Sequence, residues 1–164
     1  MRIVINPLDP KSIKKAQKQV LAYKTWLESK EKELLERLAM YGATRVSLGF
    51  ARAIYDAQGH DIQVSAEVVG NKARIIAQGE DVCFVEFGAG IRYGQGYQGE
   101  KPVGIVGIGE YGKGKGKNPK GWWYTGNDGK GHHTYGNPPA MVMWKTSVEL
   151  QEIIGDIARE VFRK

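Results

Sequence analysis

The sequence predicts an α+β protein with a long helix near its N-terminus, an antiparallel hairpin in its middle and an amphipathic helix at its C-terminus. Three observations predict it. Apolar residues first recur every seven positions, then alternate with polar residues, and finally recur at helical spacing near the end of the chain. The 164 residues suit a single domain, 1–164, in which residues 91–137 form a glycine-rich, aromatic insertion that we call the arm.

The first helix is predicted to begin at Asp9-Pro10, because an Asp oxygen can accept unpaired amide protons and proline's fixed φ suits the first helical position. Gly42 predicts its end, since glycine readily adopts the left-handed conformation that terminates helices. Such a helix would be about 46 Å long, more than a small domain can cover. Either part of its apolar stripe meets a neighbouring subunit, or the helix packs only on its own sheet. The stripe contains Ile13, Val20, Leu27, Leu34 and Tyr41.

The next elements are a short helix and a hairpin. Residues 43–57 are predicted to form a second helix that ends at Gln58-Gly59. From Asp61 the period changes to two, which indicates a half-buried strand. Gly70-Asn71 suits a tight turn with positive φ at its first residue, and residues 73–77 then return as the partner strand.

The remaining segments leave alternatives open. Residues 82–88 are too short and too apolar to separate a buried strand from a helical turn. Within the arm, residues 103–108 and 121–124 could each form an edge strand or an extra hairpin. The C-terminal helix begins either after Asn137-Pro138-Pro139 or at Thr146, where Thr146 to Glu149 fits a capping box.

Few residues favour catalysis or metal binding. The single Cys83 cannot build a disulfide framework or a cysteine zinc site. His132 and His133 are adjacent, so in an extended chain they point in opposite directions and make a poor metal site. Glu86 is either buried and hydrogen-bonded or exposed, and it lacks a partner carboxylate for catalysis. We therefore expect no enzyme activity, no cofactor and no bound metal.

The arm carries the candidate interaction residues. Sixteen of the 22 glycines lie between Gly88 and Gly136, so ordering this stretch is entropically costly unless another surface receives it. Its aromatic residues, together with one in the C-terminal helix, are expected to anchor protein interfaces. The alternative is a nucleic-acid-binding module, because the net charge is +6 and lysines interleave with aromatics. The interface candidates are Trp122, Trp123, Tyr124 and Trp144, and the candidate DNA-facing lysines are Lys113, Lys115, Lys117 and Lys120.

Three segments carry a family resemblance. Residues 84–91 read Phe-Val-Glu-Phe-Gly-Ala-Gly-Ile, residues 121–124 read Gly-Trp-Trp-Tyr, and residues 134–146 begin Thr-Tyr-Gly-Asn-Pro-Pro-Ala-Met. In order and spacing they resemble the minor tail protein, or tail-completion, family of long-tailed bacteriophages and prophages. The chain departs from that pattern at Ala89, where Thr is usual, and after Ala140, where a second Pro-Phe is missing.

The resemblance implies an antiparallel sheet with helices packed on it, in a structural protein without catalysis. It also implies a homo-oligomeric ring at the head-proximal end of the tail, which completes the tail or joins it to the capsid. The implied partners are tail-tube, tail-terminator or head-connector proteins, with non-specific DNA contact possible and no membrane. The implied location is the bacterial host cytoplasm during assembly and the virion tail afterwards.

Overall fold

A computed structural model describes residues 3–53, 61–90, 120–126 and 128–163 of the chain. Their elements, in order, are helix α1 (Pro10–Arg52), strands β1 (Gln63–Val69) and β2 (Lys72–Gln78), and the short helix α2 (Val82–Phe87). Strands β3 (Trp122–Thr125) and β4 (Gly131–Thr134) and helix α3 (Val142–Phe162) follow. The predicted α+β class is confirmed, with the described strands arranged in two antiparallel two-stranded sheets, β1-β2 and β3-β4.

Helix α1 begins as predicted and ends later than predicted. The Asp9 side chain accepts a hydrogen bond from the Lys11 amide at 2.9 Å, and Pro10 occupies the first helical position. The helix then passes through Gly42 to Arg52, so the expected break at Gly42 and the separate second helix are wrong. At 1.5 Å per residue, α1 is about 65 Å long. Residues 54–57 of the predicted second helix, and its predicted end at Gln58-Gly59, lie outside the described residues.

Gly42 serves close packing instead of helix termination. It is buried, and a Cβ placed on it would lie 2.2 Å from Cδ1 of Ile75 on β2 and 3.1 Å from Cδ1 of Leu150 on α3. Glycine inside a helix costs about 1 kcal/mol relative to alanine. Here it lets β2 and α3 both approach the α1 backbone, which the sequence pattern alone does not reveal.

The β1-β2 hairpin matches its prediction. Val69 pairs with Lys72, which leaves Gly70 and Asn71 as the two-residue turn, and Gly70 has the expected positive φ of 59°. The hairpin packs on the C-terminal part of α1, where Ile75 lies against the buried cluster that includes Val46 and Phe50. Val85 of α2 and Val142 of α3 complete this core, so all three helices and the first sheet meet there.

Helix α3 runs antiparallel along α1. Near its start, Val142 lies against Gly49, and near its end, the ring of Phe162 makes an edge contact with Trp26 at 6.1 Å. Between these points, Glu149 Oε1 accepts a hydrogen bond from the Tyr41 hydroxyl. The part of α1 before Trp26 therefore extends past the end of α3.

Candidate functional site

Two distant segments, residues 84–90 and 134–144, are joined by backbone hydrogen bonds into a unit that we call the junction. Ala89 and Asn137 form an antiparallel bridge, in which each amide donates to the other carbonyl at 3.0 and 2.9 Å. The Asn137 side chain is buried and its Nδ2 donates to the Phe84 carbonyl at 2.8 Å. These are the segments that carry two of the three family-like motifs, so those motifs build one structural feature.

The junction continues to the start of α3. The Ala140 amide donates to the Val85 carbonyl and the Met141 amide to the Glu86 carbonyl, both at 3.0 Å. Met141 has a φ of 51° and a ψ of 42°, a left-handed conformation that costs a non-glycine residue about 1–2 kcal/mol. Its side chain is fully buried, and this burial offsets the cost.

Glu86 caps helix α3 from outside that helix. Its Oε2 accepts a hydrogen bond from the Met143 amide at 3.0 Å, and its Oε1 accepts one from the Trp144 amide at 3.2 Å. A helix N-terminus leaves its first amides unpaired and carries a partial positive charge. A carboxylate there accepts hydrogen bonds from these amides and interacts favourably with the positive charge. Only 5% of Glu86 is exposed. Of the two predicted environments, the buried and hydrogen-bonded one is correct.

This cap also decides where α3 begins. The helix begins at Val142, after Pro138-Pro139, so the alternative start at Thr146 is wrong. Thr146 is buried within the helix, 5% exposed. The segment that contains Glu86 is helical, which resolves the ambiguity left for residues 82–88.

Two glycines permit the close approach of the two segments. Gly88 has a φ of 72°, and a Cβ on it would lie 2.5 Å from the backbone nitrogen of Pro139. Gly136 has a φ of 91°, and a Cβ on it would lie 1.9 Å from the Ala89 carbonyl oxygen. Both positions therefore exclude a side chain, because the positive φ disfavours it and because its Cβ would clash with the neighbouring backbone.

The β3-β4 hairpin presents the predicted aromatic residues unequally. Trp123 is 70% exposed, whereas Trp122 and Tyr124, which alternate with it along β3, are partly buried. Trp144, in the first turn of α3, is also partly buried. Of the four predicted interface residues, Trp123 offers the most accessible surface. The alternative of a hairpin at residues 121–124 is thus confirmed, while residues 103–108 lie outside the described residues.

Exposed rings form a row on one face of this hairpin. The centroid of the Trp123 ring lies 5.3 Å from that of His133, which in turn lies 4.9 Å from Tyr135, both in edge contacts. His133 Nε2 lies 2.9 Å from the Lys120 carbonyl oxygen, which fixes the ring in place. Lys120 itself is exposed. The other three candidate DNA-facing lysines, Lys113, Lys115 and Lys117, lie outside the described residues.

His132 occupies the opposite face of the hairpin, as the alternation predicts. Its ring packs against Tyr124 at 5.6 Å, and its Nε2 lies 2.9 Å from Asp128 Oδ1. This hydrogen bond, reinforced by the Lys130 amide, lowers the pKa of Asp128. The two histidines therefore do not converge on a common ligand. Within the described ranges, no group of three or more His, Cys, Asp or Glu residues could hold a metal ion.

A groove of about 410 Å³ lies between the end of α1 and the start of α3. Its polar wall contains Arg45, Arg52 and Lys145, with Glu149 as the acidic member. Arg45 Nε donates to Glu149 Oε2 at 2.8 Å, and the Lys145 ammonium donates to the Ala140 carbonyl at 2.8 Å. The hydrogen bonds from Tyr41 and Arg45 lower the pKa of Glu149. The ion pair between Arg45 and Glu149 therefore links α1 to α3 within the groove.

Comparison of the chain with protein-family models, curated proteins and solved structures gave no match. No helix in the described part of the chain is long and apolar enough to cross a membrane.

Proposed function

We propose that this chain is a structural subunit of bacteriophage tail assembly, of the tail-completion or head-tail joining type. It acts through protein contacts and carries out no catalytic step. The observation that carries the proposal is the presentation of Trp123, whose indole is 70% exposed on a hairpin that leads directly into the junction. Large exposed aromatic side chains are favoured anchors of protein interfaces, because they bury much area at little conformational cost.

The junction supports the family resemblance behind this proposal. Glu86, Gly88 and Asn137 stand at motif positions, and each has a specific structural task there: capping α3, allowing close approach and bridging the two segments. Motif residues with these roles maintain the structure of the junction. Glu86 in particular uses both carboxylate oxygens for backbone amides, which supports a structural assignment over an acid-base one.

In this proposal the chain forms a homo-oligomeric ring in the assembled tail. The hairpin contacts a neighbouring subunit or a tail-tube, tail-terminator or head-connector protein. The protein assembles in the cytoplasm of the bacterial host and ends in the virion tail. Its Lys-containing arm tolerates DNA passing through the lumen of the ring without reading its sequence.

Complementation of a deletion in the encoding genome tests the proposal. Trp123→Ala should leave the fold intact, because most of the side chain is exposed, and should abolish incorporation of the protein into tails. Val69→Ala is the matched control, since Val69 is 63% exposed at the turn of the other hairpin. Normal tails with the Trp123 variant, or tail defects of equal size with both variants, would overturn the proposed role.

The row of exposed rings favours one other candidate, a single-stranded nucleic-acid-binding module. Trp123, His133 and Tyr135 provide consecutive π surfaces beside the exposed Lys120, and a stacked base contributes roughly 1–3 kcal/mol. Titration of the tryptophan fluorescence with an oligothymidylate distinguishes the two functions. Quenching that weakens steeply with salt and with Lys120→Gln supports nucleic-acid binding. Unchanged fluorescence rules this candidate out.

A further inference from the structure

The groove between the end of α1 and the start of α3 has one wall from each of the two long helices. Residues three and four positions apart share one side of a helix, and the lining residues of α1 and of α3 follow that spacing. A Cβ placed on Gly49 would lie 2.4 Å from Cγ1 of Val142, so the helices touch at the floor of the groove. The α1 wall presents Arg45, Leu48 and Arg52, and the α3 wall presents Lys145 and Glu149.

Between its charged side chains the groove is apolar. Leu48 is 44% exposed on the α1 wall, and Pro138, Pro139 and Ala140 line the end at which the chain enters α3. Ligand sites combine apolar walls with a few placed polar groups and have volumes of roughly 300–1,000 Å³. The groove, at about 410 Å³, fits that description.

The charges of the groove select an anionic ligand. Three cationic side chains and one carboxylate line it, which leaves an excess of two positive charges. The carboxylate, that of Glu149, already accepts hydrogen bonds from Tyr41 and Arg45. The exposed guanidinium of Arg52 has no hydrogen-bond or ion-pair partner within the part of the chain that the structure describes. Arg45 donates to Glu149 through Nε, which leaves its terminal nitrogens available to a ligand.

We propose that this groove binds an extended peptide segment of a partner protein, in which two acidic residues flank an apolar one. Arg45 and Arg52 are seven residues apart, or about 10.5 Å along α1. At about 3.3 Å per residue, acidic residues three positions apart in an extended peptide span the same distance. Arginine binds carboxylates in a bidentate geometry, and Leu48 lies between the two arginines to receive the apolar residue.

Nucleic acid is the other polyanion that such charges attract, and the groove is less suited to it. Proteins bind single strands by stacking bases on aromatic side chains, and none of the described residues that line the groove is aromatic. The Glu149 carboxylate would also repel a phosphate backbone, whereas a peptide can place an uncharged residue beside it. These two features favour an acidic peptide.

Fluorescence anisotropy of a dye-labelled peptide, titrated with the full chain, tests the site. The probe is Gly-Glu-Leu-Ala-Glu-Gly with blocked termini, and the reference peptide has Gln in place of both Glu residues. The chain should bind the probe at least roughly 10-fold more tightly than the reference, by an amount that falls as salt rises. Equal affinity for the two peptides, or no binding of either, overturns the proposal.

Arg52→Gln should weaken binding of the acidic probe by about 10-fold and leave the neutral reference unchanged. Arg163→Gln is the matched control, because it removes the same charge from an exposed arginine at the C-terminal end of the other long helix. Arg163 lies about 27 Å from Lys145 along α3. Circular dichroism verifies that each variant keeps its helices. Equal effects of the two variants would show attraction to the net charge alone and overturn the site.

The apolar contact is tested separately. Leu48→Ala should weaken probe binding by at least about 3-fold, since it removes apolar surface that the Leu of the probe would cover. Met40→Ala, at a position 71% exposed on the same helix, should have no effect. Probe binding that is insensitive to Leu48→Ala would overturn the proposed position of the peptide between the two arginines.

Two further measurements separate the groove from the β3-β4 hairpin and from the tail role. If an oligothymidylate displaces the probe and its own binding is lost in Arg52→Gln, the groove is a nucleic-acid site and the peptide proposal is overturned. Trp123→Ala should leave probe binding unchanged, and its loss would place the site on the hairpin. A protein that binds the probe as described but is absent from tails overturns the tail role alone.

Discussion

Oε2 of Glu86 accepts a hydrogen bond from the amide of Met143 at 3.0 Å, across 57 positions of sequence. The bond joins the short helix α2 to the first turn of α3, and it makes the start of α3 dependent on a residue that precedes the arm. Helix α3 can therefore be fully capped only after the junction has closed.

Removing this carboxylate should destabilise the protein. Glu86→Ala leaves the amides of Met143 and Trp144 without their acceptors in a partly buried site, and we expect a loss of about 1–3 kcal/mol in the free energy of unfolding. Glu86→Gln keeps one acceptor oxygen and should lose less. Urea unfolding measures both, and Glu152→Ala, an exposed change on α3, is the control. A Glu86→Ala protein as stable as its control would contradict the capping role.

The close approach within the junction predicts an unequal response of two glycines to alanine. Gly136→Ala combines a φ of 91° with a Cβ position 1.9 Å from the Ala89 carbonyl oxygen, so it should cost at least about 3 kcal/mol. Gly129→Ala has a similar φ of 73° but no atom within 4 Å, and should cost only about 1–2 kcal/mol. Thermal and urea unfolding compare the two. Equal losses would show that the positive φ alone sets the stability cost of alanine. The bridge between Ala89 and Asn137 would then be looser than described.

The shared core predicts a large effect at Phe50. This side chain is 1% exposed and contacts elements from both ends of the chain, so Phe50→Ala should cost about 3–5 kcal/mol. Met40→Ala, on the exposed side of the same helix, should change stability by less than about 0.5 kcal/mol. A small effect at Phe50 would mean that the two packed ends unfold independently, which calorimetry would reveal as two transitions.

Acid should weaken the contact between α1 and α3. Hydrogen bonds from Tyr41 and Arg45 lower the pKa of Glu149 below its ordinary value of 4.5, so the unfolded chain takes up a proton more readily than the folded one. This contribution is fully present above about pH 5 and is lost as pH falls through the lowered pKa. Glu149→Gln should therefore flatten part of the fall in melting temperature on acidification. If the melting temperatures of the wild type and of Glu149→Gln fell identically with pH, the proposed contribution of the Glu149 carboxylate would be contradicted.

The sequence was most informative where structure is decided locally. The Asp9 cap, the Gly70 turn and the alternation that places His132 and His133 on opposite faces all depend on neighbouring residues, and all are confirmed. The prediction that α1 ends at Gly42 is wrong because this glycine allows close packing with Ile75 and Leu150, which approach it only in the folded chain.

The candidate site was partly predictable for the same reason. Aromatic composition and the turn pattern indicate that the hairpin carries interaction residues, but not that Trp123 is exposed while Trp122 and Tyr124 are partly covered. The cap by Glu86 could not be predicted, since its partners are distant and the residue's secondary structure was ambiguous. The seven-residue stripe left open whether α1 is covered along its whole length, and the exposure of Ile13, Val20 and Leu27 shows that part of it is not covered within the described chain.

The bridge between Ala89 and Asn137 makes the intervening stretch replaceable in principle. Both ends of residues 91–135, which lie between the two closely approaching glycines Gly90 and Gly136, are tied to the same backbone bridge. Closing a loop of twice the length costs only about 0.6 kcal/mol more. That stretch can thus be shortened, lengthened or exchanged while the helices and the bridge keep their arrangement.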